Sequence, residues 1–403
     1  METIKKQNNI IIVGIQPWDI SIGSNCKNLA LELSKNHKIL YVNAPLDRST
    51  AKNQKDKPTV KKRLEIIKRN KNSLSKIQEN IWEFNPPILL ESINWLPQFL
   101  FTYFNKKNNK RFAKCIISAA EKLGFKDYYL INDSDMFRSF YLKEFLNPIK
   151  YLYYTRDNLM TVPYWKKHGQ FMEPKLMAKA DLVLGNSPLL IKNALKYNPN
   201  SFFIGQGCNL SDFSANKNFQ KPEDLKTICG KIIGYTGLLS SRRLDINLIA
   251  HIAKSKPHWN IVLIGKEEDC FLKSELHELK NCIFLGNKPP DVLPSFISYF
   301  DVCINPQLVN ELTLFNYPRK IDEYLAMGKP VVATYTPTME YFSEQVLLAS
   351  NKHEFTSMIN TALYENDESL KKKRIDFAKT HSWEACIDKL WQAINSISQN
   401  KNE

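Results

Sequence analysis

Leu314-Phe-Asn-Tyr-Pro-Arg-Lys-Ile-Asp-Glu-Tyr-Leu-Ala-Met-Gly-Lys-Pro-Val-Val-Ala-Thr334 reads as three consecutive pieces of structure. A polar loop closes at Pro318 and leads into a helix predicted over Arg319–Ala326. Met327-Gly328 ends the helix, and Pro330 stops any continuation. Val331–Thr334 is then a short apolar, β-branched strand. A strand apolar on both faces belongs to a parallel sheet covered by helices on each side. The helix start brings backbone N–H groups, those of Tyr317 and Arg319, close to a cation. That is where an anionic group such as a pyrophosphate is favoured. Glu323, one turn inside, is placed as a carboxylate that can accept hydrogen bonds from both hydroxyls of a ribose.

The same helix–strand alternation extends in both directions. In the first half, strands are predicted at Asn9–Val13, Lys38–Asn43, Tyr128–Asn132, Lys150–Tyr154, Asp181–Asn186 and Phe202–Gly205. In the second half they are Lys231–Thr236, Asn260–Gly265, Cys282–Gly286, Asp301–Asn305, Pro330–Thr334 and Gln345–Ala349. Two such series predict an α/β protein with two Rossmann-like, doubly wound parallel-sheet domains. The expected division is a domain over 1–208, a polar linker over 209–230, a second domain over 231–375, and a C-terminal helix over 376–403 packing back on the first domain. Trp383, Ile387, Leu390, Trp391 and Ile394 fall at helical spacing and read as a stripe packed on a core.

The 403 residues are 43% hydrophobic and 24% charged, a globular balance. No apolar run approaches the roughly 20 residues needed to cross a bilayer. Met1–Asn9 is polar and lacks the apolar core of a secretion signal. The eight cysteines form no C-x-x-C pair, and the seven histidines show no ligand spacing, so a reducing, cytoplasmic setting without metal is expected. The net charge of +15 is carried by the first half, where residues 1–200 hold 33 Lys and Arg against 17 Asp and Glu. Ala51–Ile77 alone has ten basic residues. An aromatic run, Trp95–Phe104, follows, and then Lys106, Lys107, Lys110 and Arg111. Aromatics beside clustered cations read as a patch for an anionic membrane surface, against the plainer reading of a solvated loop beside a buried helix. The corresponding localisation is the inner face of the plasma membrane.

The pattern formed by Pro318, Lys320, Glu323, Tyr324, Ala326, Gly328, Pro330, Val331 and Val332 resembles the donor-site motif of GT-B enzymes of the retaining "glycosyl transferases group 1" family. The resemblance is to the bacterial branch that builds surface polysaccharides, teichuronic-acid-type enzymes included. It implies two domains facing a cleft, an acceptor-binding N-terminal domain and a C-terminal domain that binds a UDP- or GDP-linked sugar. It implies transfer of that sugar to a glycan or lipid-linked acceptor with retention, and no resident cofactor or metal. Glu323 would bind ribose and the loop before it pyrophosphate. The family's second glutamate is replaced here by Phe315. Ile233–Asp245 is similar to the family's strand, glycine turn and basic residue on the next helix. Gly237 would then approach the phosphates, and Arg242 or Arg243, helped by Lys320, would neutralise the departing diphosphate. Gly265 and Lys288 match strand ends that cup the nucleobase. Asp181–Ser187, Gly205–Gly207 and His381–Trp383 also resemble family segments.

On the acceptor side, Gln16–Lys27 offers Gly23 and Ser24 at a helix start. Asp133 and Asp157 are further candidates, with capping of strand ends as their plain alternative. Asp133-Ser-Asp135 also has the form of a cation-binding D-x-D, but a metal-dependent GT-A reading leaves Pro318–Gly328 and the second sheet without a purpose. No Walker loop, H-E-x-x-H, G-x-S-x-G or G-x-G-x-x-G occurs. Two other functions remain as alternatives: a nucleotide-sugar epimerase of the same architecture, and a basic nucleic-acid-binding module, for which no recognition motif appears.

Overall fold

A computed structural model of the chain describes residues 7–19, 24–364 and 366–399. They form two compact units, one made up of the described residues up to 205 together with those from 387 onward, the other of those from 206 to 386.

The first unit contains β1 (Asn9–Gly14), β2 (Lys38–Asn43), β3 (Leu46–Asp47), β4 (Leu74–Gln78), β5 (Ile81–Phe84), β6 (Leu89–Leu90), β7 (Tyr128–Asp133), β8 (Lys150–Thr155), β9 (Leu182–Gly185) and β10 (Ser201–Phe203). Eight of these make one sheet in the order β10-β9-β8-β7-β1-β2-β5-β4, parallel except for the edge strand β4; β3 and β6 pair separately. The register is direct: Ile11 lies between Leu40 and Leu130. These apolar strands bury both faces, as a parallel sheet requires. Ile11, Val13, Leu40 and Val42 pack in one core with Phe112 and Ile116 of the helix Gln98–Lys122. That helix buries Phe101, Asn105, Asn108, Phe112 and Ile116, one stripe at three- to four-residue spacing.

The basic stretch 51–77 is not a solvated loop. It forms the helices Arg48–Asn53 and Pro58–Ile67 and then β4, with Val60, Arg63 and Ile66 buried. Arg63 is neutralised by Asp19 at 2.9 Å, which lets the basic helix bury one face.

The second unit contains β11 (Lys231–Thr236), β12 (Trp259–Ile264), β13 (Cys282–Phe284), β14 (Val302–Asn305), β15 (Val331–Thr334) and β16 (Leu347–Ala349). All are parallel, in the order β13-β12-β11-β14-β15-β16. Ile233, Ile261, Leu263, Ile304 and Val332 build its core with Ile249, Phe355 and Ile359 from the flanking helices. The order reverses between β11 and β14. In doubly wound sheets, ligands bind beyond the C-terminal ends of the strands at such a reversal.

The structure draws the unit boundaries earlier and later than composition does. The polar segment 209–230 lies inside the second unit, because Phe213 and Leu225 are buried and the Tyr299 hydroxyl donates to Phe219 O at 2.8 Å. Residues 376–386 stay with the second unit too, where Ala378 and His381 are buried. From Ile387 onward the helix Trp383–Gln399 counts with the first unit, and Trp391 packs edge-on to His37 and Tyr129. All eight cysteines are free, and among the described residues no helix is long and apolar enough to cross a membrane.

Candidate donor-binding site

β11 delivers Gly237 to the reversal point. Its φ of +136° is a conformation that L side chains rarely adopt, and a Cβ there would lie 2.6 Å from Lys320 Nζ. Gly265, at the end of β12, is held as close: its Cβ would fall 1.8 Å from Gly237 O. The two glycines therefore let two strand ends and a lysine side chain meet without intervening carbon.

The lysine comes from the helix Lys320–Ala326. Tyr324 anchors that helix to β11, its hydroxyl accepting from Thr236 N at 2.8 Å. On the other side, Asp322 accepts from the Tyr317 hydroxyl at 2.8 Å and contacts His381 Nδ1 at 2.8 Å, and His381 Nε2 meets the Tyr341 hydroxyl at 2.8 Å. This network is buried, with Asp322 and His381 at 0% and 1% exposure. Held from both sides, the helix presents Arg319, Lys320 and Glu323 in fixed positions, and no side chain caps its first turn.

Lys320 Nζ donates to the Tyr235 hydroxyl and sits 3.7 Å from the centre of its ring. Burial pushes the Lys320 ammonium down to about 7; Glu323 opposes the shift and Arg243 adds to it. Glu323 accepts from Arg319 Nε through Oε1 at 2.9 Å, which leaves Oε2 outside that bond. Burial raises its carboxyl above the usual range, against the pull of Arg319. Arg319 and Lys320 thus flank Glu323, and Arg243 acts on Lys320 in turn, a cationic cluster that an anionic ligand would complete.

Arg243 is half-buried and reaches Asn316 Oδ1 at 3.5 Å, while Arg242 is exposed. Neither lies on a helix. Asp245 caps the next helix by accepting from Leu248 N at 3.0 Å, so both arginines fall in the turn before it, not on it as expected. The Tyr317 side chain is core, committed to Asp322, and only its backbone faces the loop's role. Lys288 is tied to Asp224 at 2.7 Å. Two groups at this edge escaped the sequence reading. Tyr235, the aromatic partner of Lys320, looked like one more strand residue. Gln307, just past β14, is 4% exposed and its Nε2 has no hydrogen-bond partner. Its Oε1 accepts from Asn305 Nδ2 at 3.2 Å, so the buried NH2 group alone calls for an explanation, and a bound ligand supplies one. Only its position two residues after a strand at the reversal point could have flagged it.

In the first unit the acceptor-side candidates divide. Gly23 lies outside the described residues. Ser24 is buried, donates to Gln16 Oε1 at 2.6 Å and caps the helix Asn25–Ser34. Asp133, fully buried, is gripped by both Nε and Nη2 of Arg156, the latter at 2.7 Å. Burial raises its carboxyl, with Arg156 opposing. Asp135 accepts from Arg138 Nε at 2.7 Å and from the backbone N–H of Arg138 at 2.9 Å. Both acids of the D-x-D therefore serve arginines, which is not the geometry of a cation site. Asp157 is exposed.

Two doubly wound parallel-sheet units define the GT-B class of fold, and solved structures with that architecture match nearly the whole chain. Sucrose-phosphate synthase from Thermosynechococcus elongatus superposes with a TM-score of 0.66 at 14% identity, covering 98% of this chain and 100% of that one. Anabaena HepE in complex with UDP gives 0.66 at 13%, covering 97% and 100%. An E. coli trehalose-6-phosphate structure bound with UDP-2-fluoro glucose gives 0.68 at 10%, covering 97% and 99%. Within that class, residues 230–365 match the family "Glycosyl transferases group 1", the family whose motif the sequence resembles. A Bacillus subtilis (strain 168) protein named as a teichuronic acid biosynthesis glycosyltransferase, TuaH, is 26% identical over 240 residues, which is 57% of this chain and 60% of that protein's length.

Proposed function

We propose that the chain is a glycosyltransferase that takes a sugar from a nucleoside diphosphate and adds it to a glycan or lipid-linked acceptor in cell-surface polysaccharide synthesis. The observation that carries this reading is the cluster of Gly237, Arg243, Lys320 and Glu323 at the strand-order reversal of the second unit. In the reaction, the bond from the sugar's anomeric carbon to the diphosphate breaks, a bond from that carbon to the acceptor oxygen forms, and the acceptor proton leaves with the departing phosphate. Negative charge grows on the diphosphate as an oxocarbenium-like centre develops. Lys320 and Arg243 are placed to stabilise that charge, and Glu323 Oε2 to accept from ribose. Protein cations supply this neutralisation in the proposal, without a resident metal, and retention of configuration follows the family resemblance. HepE with UDP and the E. coli protein with UDP-2-fluoro glucose support a uridine-linked donor. The TuaH match supports a surface-polysaccharide acceptor. No observation favours the epimerase.

The proposed setting is the cytoplasmic face of the membrane, on an anionic surface. Trp95, Phe99 and Tyr103 follow one another at four-residue spacing and are 74%, 71% and 56% exposed. Lys106, Lys107, Lys110 and Arg111 continue the exposed helix face. Aromatics at the interface with cations over headgroups are the composition of a membrane-docking surface.

The test is thermal unfolding with UDP and with GDP, on the wild type and on Glu323→Ala. A ligand at 100 times its Kd adds about 2.7 kcal/mol. One nucleotide should raise the Tm, and Glu323→Ala should remove the rise. No shift with either nucleotide would overturn the donor site.

A further inference from the structure

Beyond the donor site, the first unit holds a cavity of about 540 Å³, within the size range of small-ligand sites. None of the acceptor-side residues read from the sequence lines it. Its walls come from the end of β3 and the helix Arg48–Asn53, the segment after β6 and the helix Gln98–Lys122, the turn after β7 and the start of the helix Pro163–Lys179. The turn after β7 leads directly off the C-terminal end of a main-sheet strand, the edge where such sheets take ligands.

The lining has the chemistry of a carbohydrate site. Trp95 and Tyr164 offer aromatic surface at the rim, 74% and 52% exposed. Aromatic planes stack on the C–H faces of pyranose rings while polar groups bond the hydroxyls. Asn94 Oδ1 is buried with no hydrogen-bond partner, an acceptor that a sugar hydroxyl would satisfy. Arg138 is oriented by its Nε bond to Asp135, which leaves its Nη protons outside that bond. Two carboxylates, Asp47 and Glu91, also line the space, each already bonded, Asp47 to Ser92 at 2.6 Å and Glu91 to Arg48 at 2.7 Å. Acids beside a cation suit an uncharged, hydroxyl-rich ring better than a free anion.

Trp95 belongs to two features at once. It is part of the cavity rim, and it begins the exposed stripe continued by Phe99 and Tyr103, with Lys107 Nζ 4.4 Å from the Tyr103 ring. The cavity mouth and the proposed membrane face therefore coincide. We infer that this cavity holds the pyranose of a lipid-anchored acceptor, presented to the protein from the bilayer and not from solution. The inference rests on the transferase reading only for the name acceptor; the sugar site itself stands or falls alone.

The experiment uses the full chain with vesicles of phosphatidylglycerol and phosphatidylcholine, plain or carrying dodecyl glucoside or dodecyl N-acetylglucosaminide. Binding to vesicles should rise when a dodecyl glycoside is present. Arg138→Gln and the surface variant Trp95→Ala should lower that sugar-dependent gain by about tenfold, the loss expected from one good contact. Phe99→Ser with Tyr103→Ser should lower binding to plain vesicles. UDP binding, measured on every variant, should be unchanged and reports folding and the donor site separately. The inference is overturned if both cavity variants keep the full glycoside response, or if methyl glucoside in water binds as tightly as the membrane-held glycoside. Loss of UDP binding by the wild type with the glycoside response intact would sink the transferase reading and leave the sugar site standing.

Discussion

The two sheets share a strand order and differ in what stands at their C-terminal edges. Around β11 and β14, Arg319 and Lys320 flank Glu323, Arg243 acts on Lys320, and Lys320 is pushed down to about 7 by burial. Past β7 and β8, the buried acids of the Asp133-Ser-Asp135 turn are matched: Asp133 with Arg156, Asp135 with Arg138. A closed ion pair at a strand end holds loops in place. An open cluster of cations costs stability until an anion arrives. Charge balance, more than the presence of charge, separates the structural edge from the ligand edge. The first unit's own cavity fits this contrast, since Arg138 and Glu91 are paired, with Asp135 and Arg48, Asp47 is held by Ser92 and Thr50, and the opening is amphipathic.

The largest effect expected from this contrast is on folding. Asp133→Ala leaves Arg156 buried without its partner, and breaking such a pair costs about 3–5 kcal/mol. Urea unfolding should show a large fall in the midpoint with little change in slope. A loss below about 1 kcal/mol would mean that Asp133 is not structural and would return it to the acceptor candidates. Next is Gly237→Ala. The added carbon lies 2.6 Å from Lys320 Nζ at a φ of +136°, so backbone strain of roughly 1–3 kcal/mol and a displaced lysine are expected. Calorimetry should find UDP binding lost while the chain stays folded. Retained affinity would remove Gly237 from the site.

The same contrast explains what the sequence disclosed. Strands whose side chains face cores on both sides announce themselves as apolar runs, and all twelve predicted runs are strands in the structure. The four that escaped are β3 to β6. Two are only two residues long, too short to show any period, and β4 (Leu74-Ser-Lys-Ile-Gln78) is an exposed antiparallel edge strand with no buried face. At the second unit's edge, Glu323, Lys320 and Gly237 were legible because a helix start and a glycine turn impose local rules. Tyr235 and Gln307 were not, since their roles depend on pairing across 85 residues for Lys320 and Tyr235, and on a buried, unbonded Nε2 for Gln307. The first unit's cavity was invisible for the same reason: Asp47, Asn94, Arg138 and Tyr164 are distant in sequence and meet only through the sheet.

A pH titration sharpens the contrast further. Lys320 has a folded value of about 7, below its ordinary 10.5. Between those two values the unfolded chain holds more protons than the folded one, so the free protein gains stability as pH rises through that window. A bound diphosphate does the reverse to the lysine, favouring its charged form and raising its pKa. Nucleotide binding should therefore take up a proton near neutral pH. UDP affinity should be full below about 7 and fall above it, by up to about tenfold per pH unit until the pKa of the complex is reached. Calorimetry in buffers of different ionisation enthalpy measures the uptake. A flat profile from pH 6 to about 9 would show that Lys320 does not face the ligand.

The smallest effects come from two adjacent arginines. Arg243 is half-buried, lies against Asn316 and adds to the field that lowers Lys320. Arg242 is exposed, and its bonds here run through its backbone, to Ser240 Oγ and from Asn310 Nδ2. The turn before Asp245 gives them different environments although the sequence makes them look equivalent. Removing a charged hydrogen-bonding partner of a diphosphate is worth about 1.5–3 kcal/mol, so Arg243→Ala should weaken UDP by at least about tenfold. An exposed charge in water contributes at most about 1 kcal/mol and is screened by salt, so Arg242→Ala should change affinity by less than about fivefold and lose even that at high ionic strength. Equal losses from the two substitutions would mean that the loop rearranges when nucleotide binds. A larger loss from Arg242→Ala would reverse their assignment and make the exposed arginine the one that closes on the diphosphate.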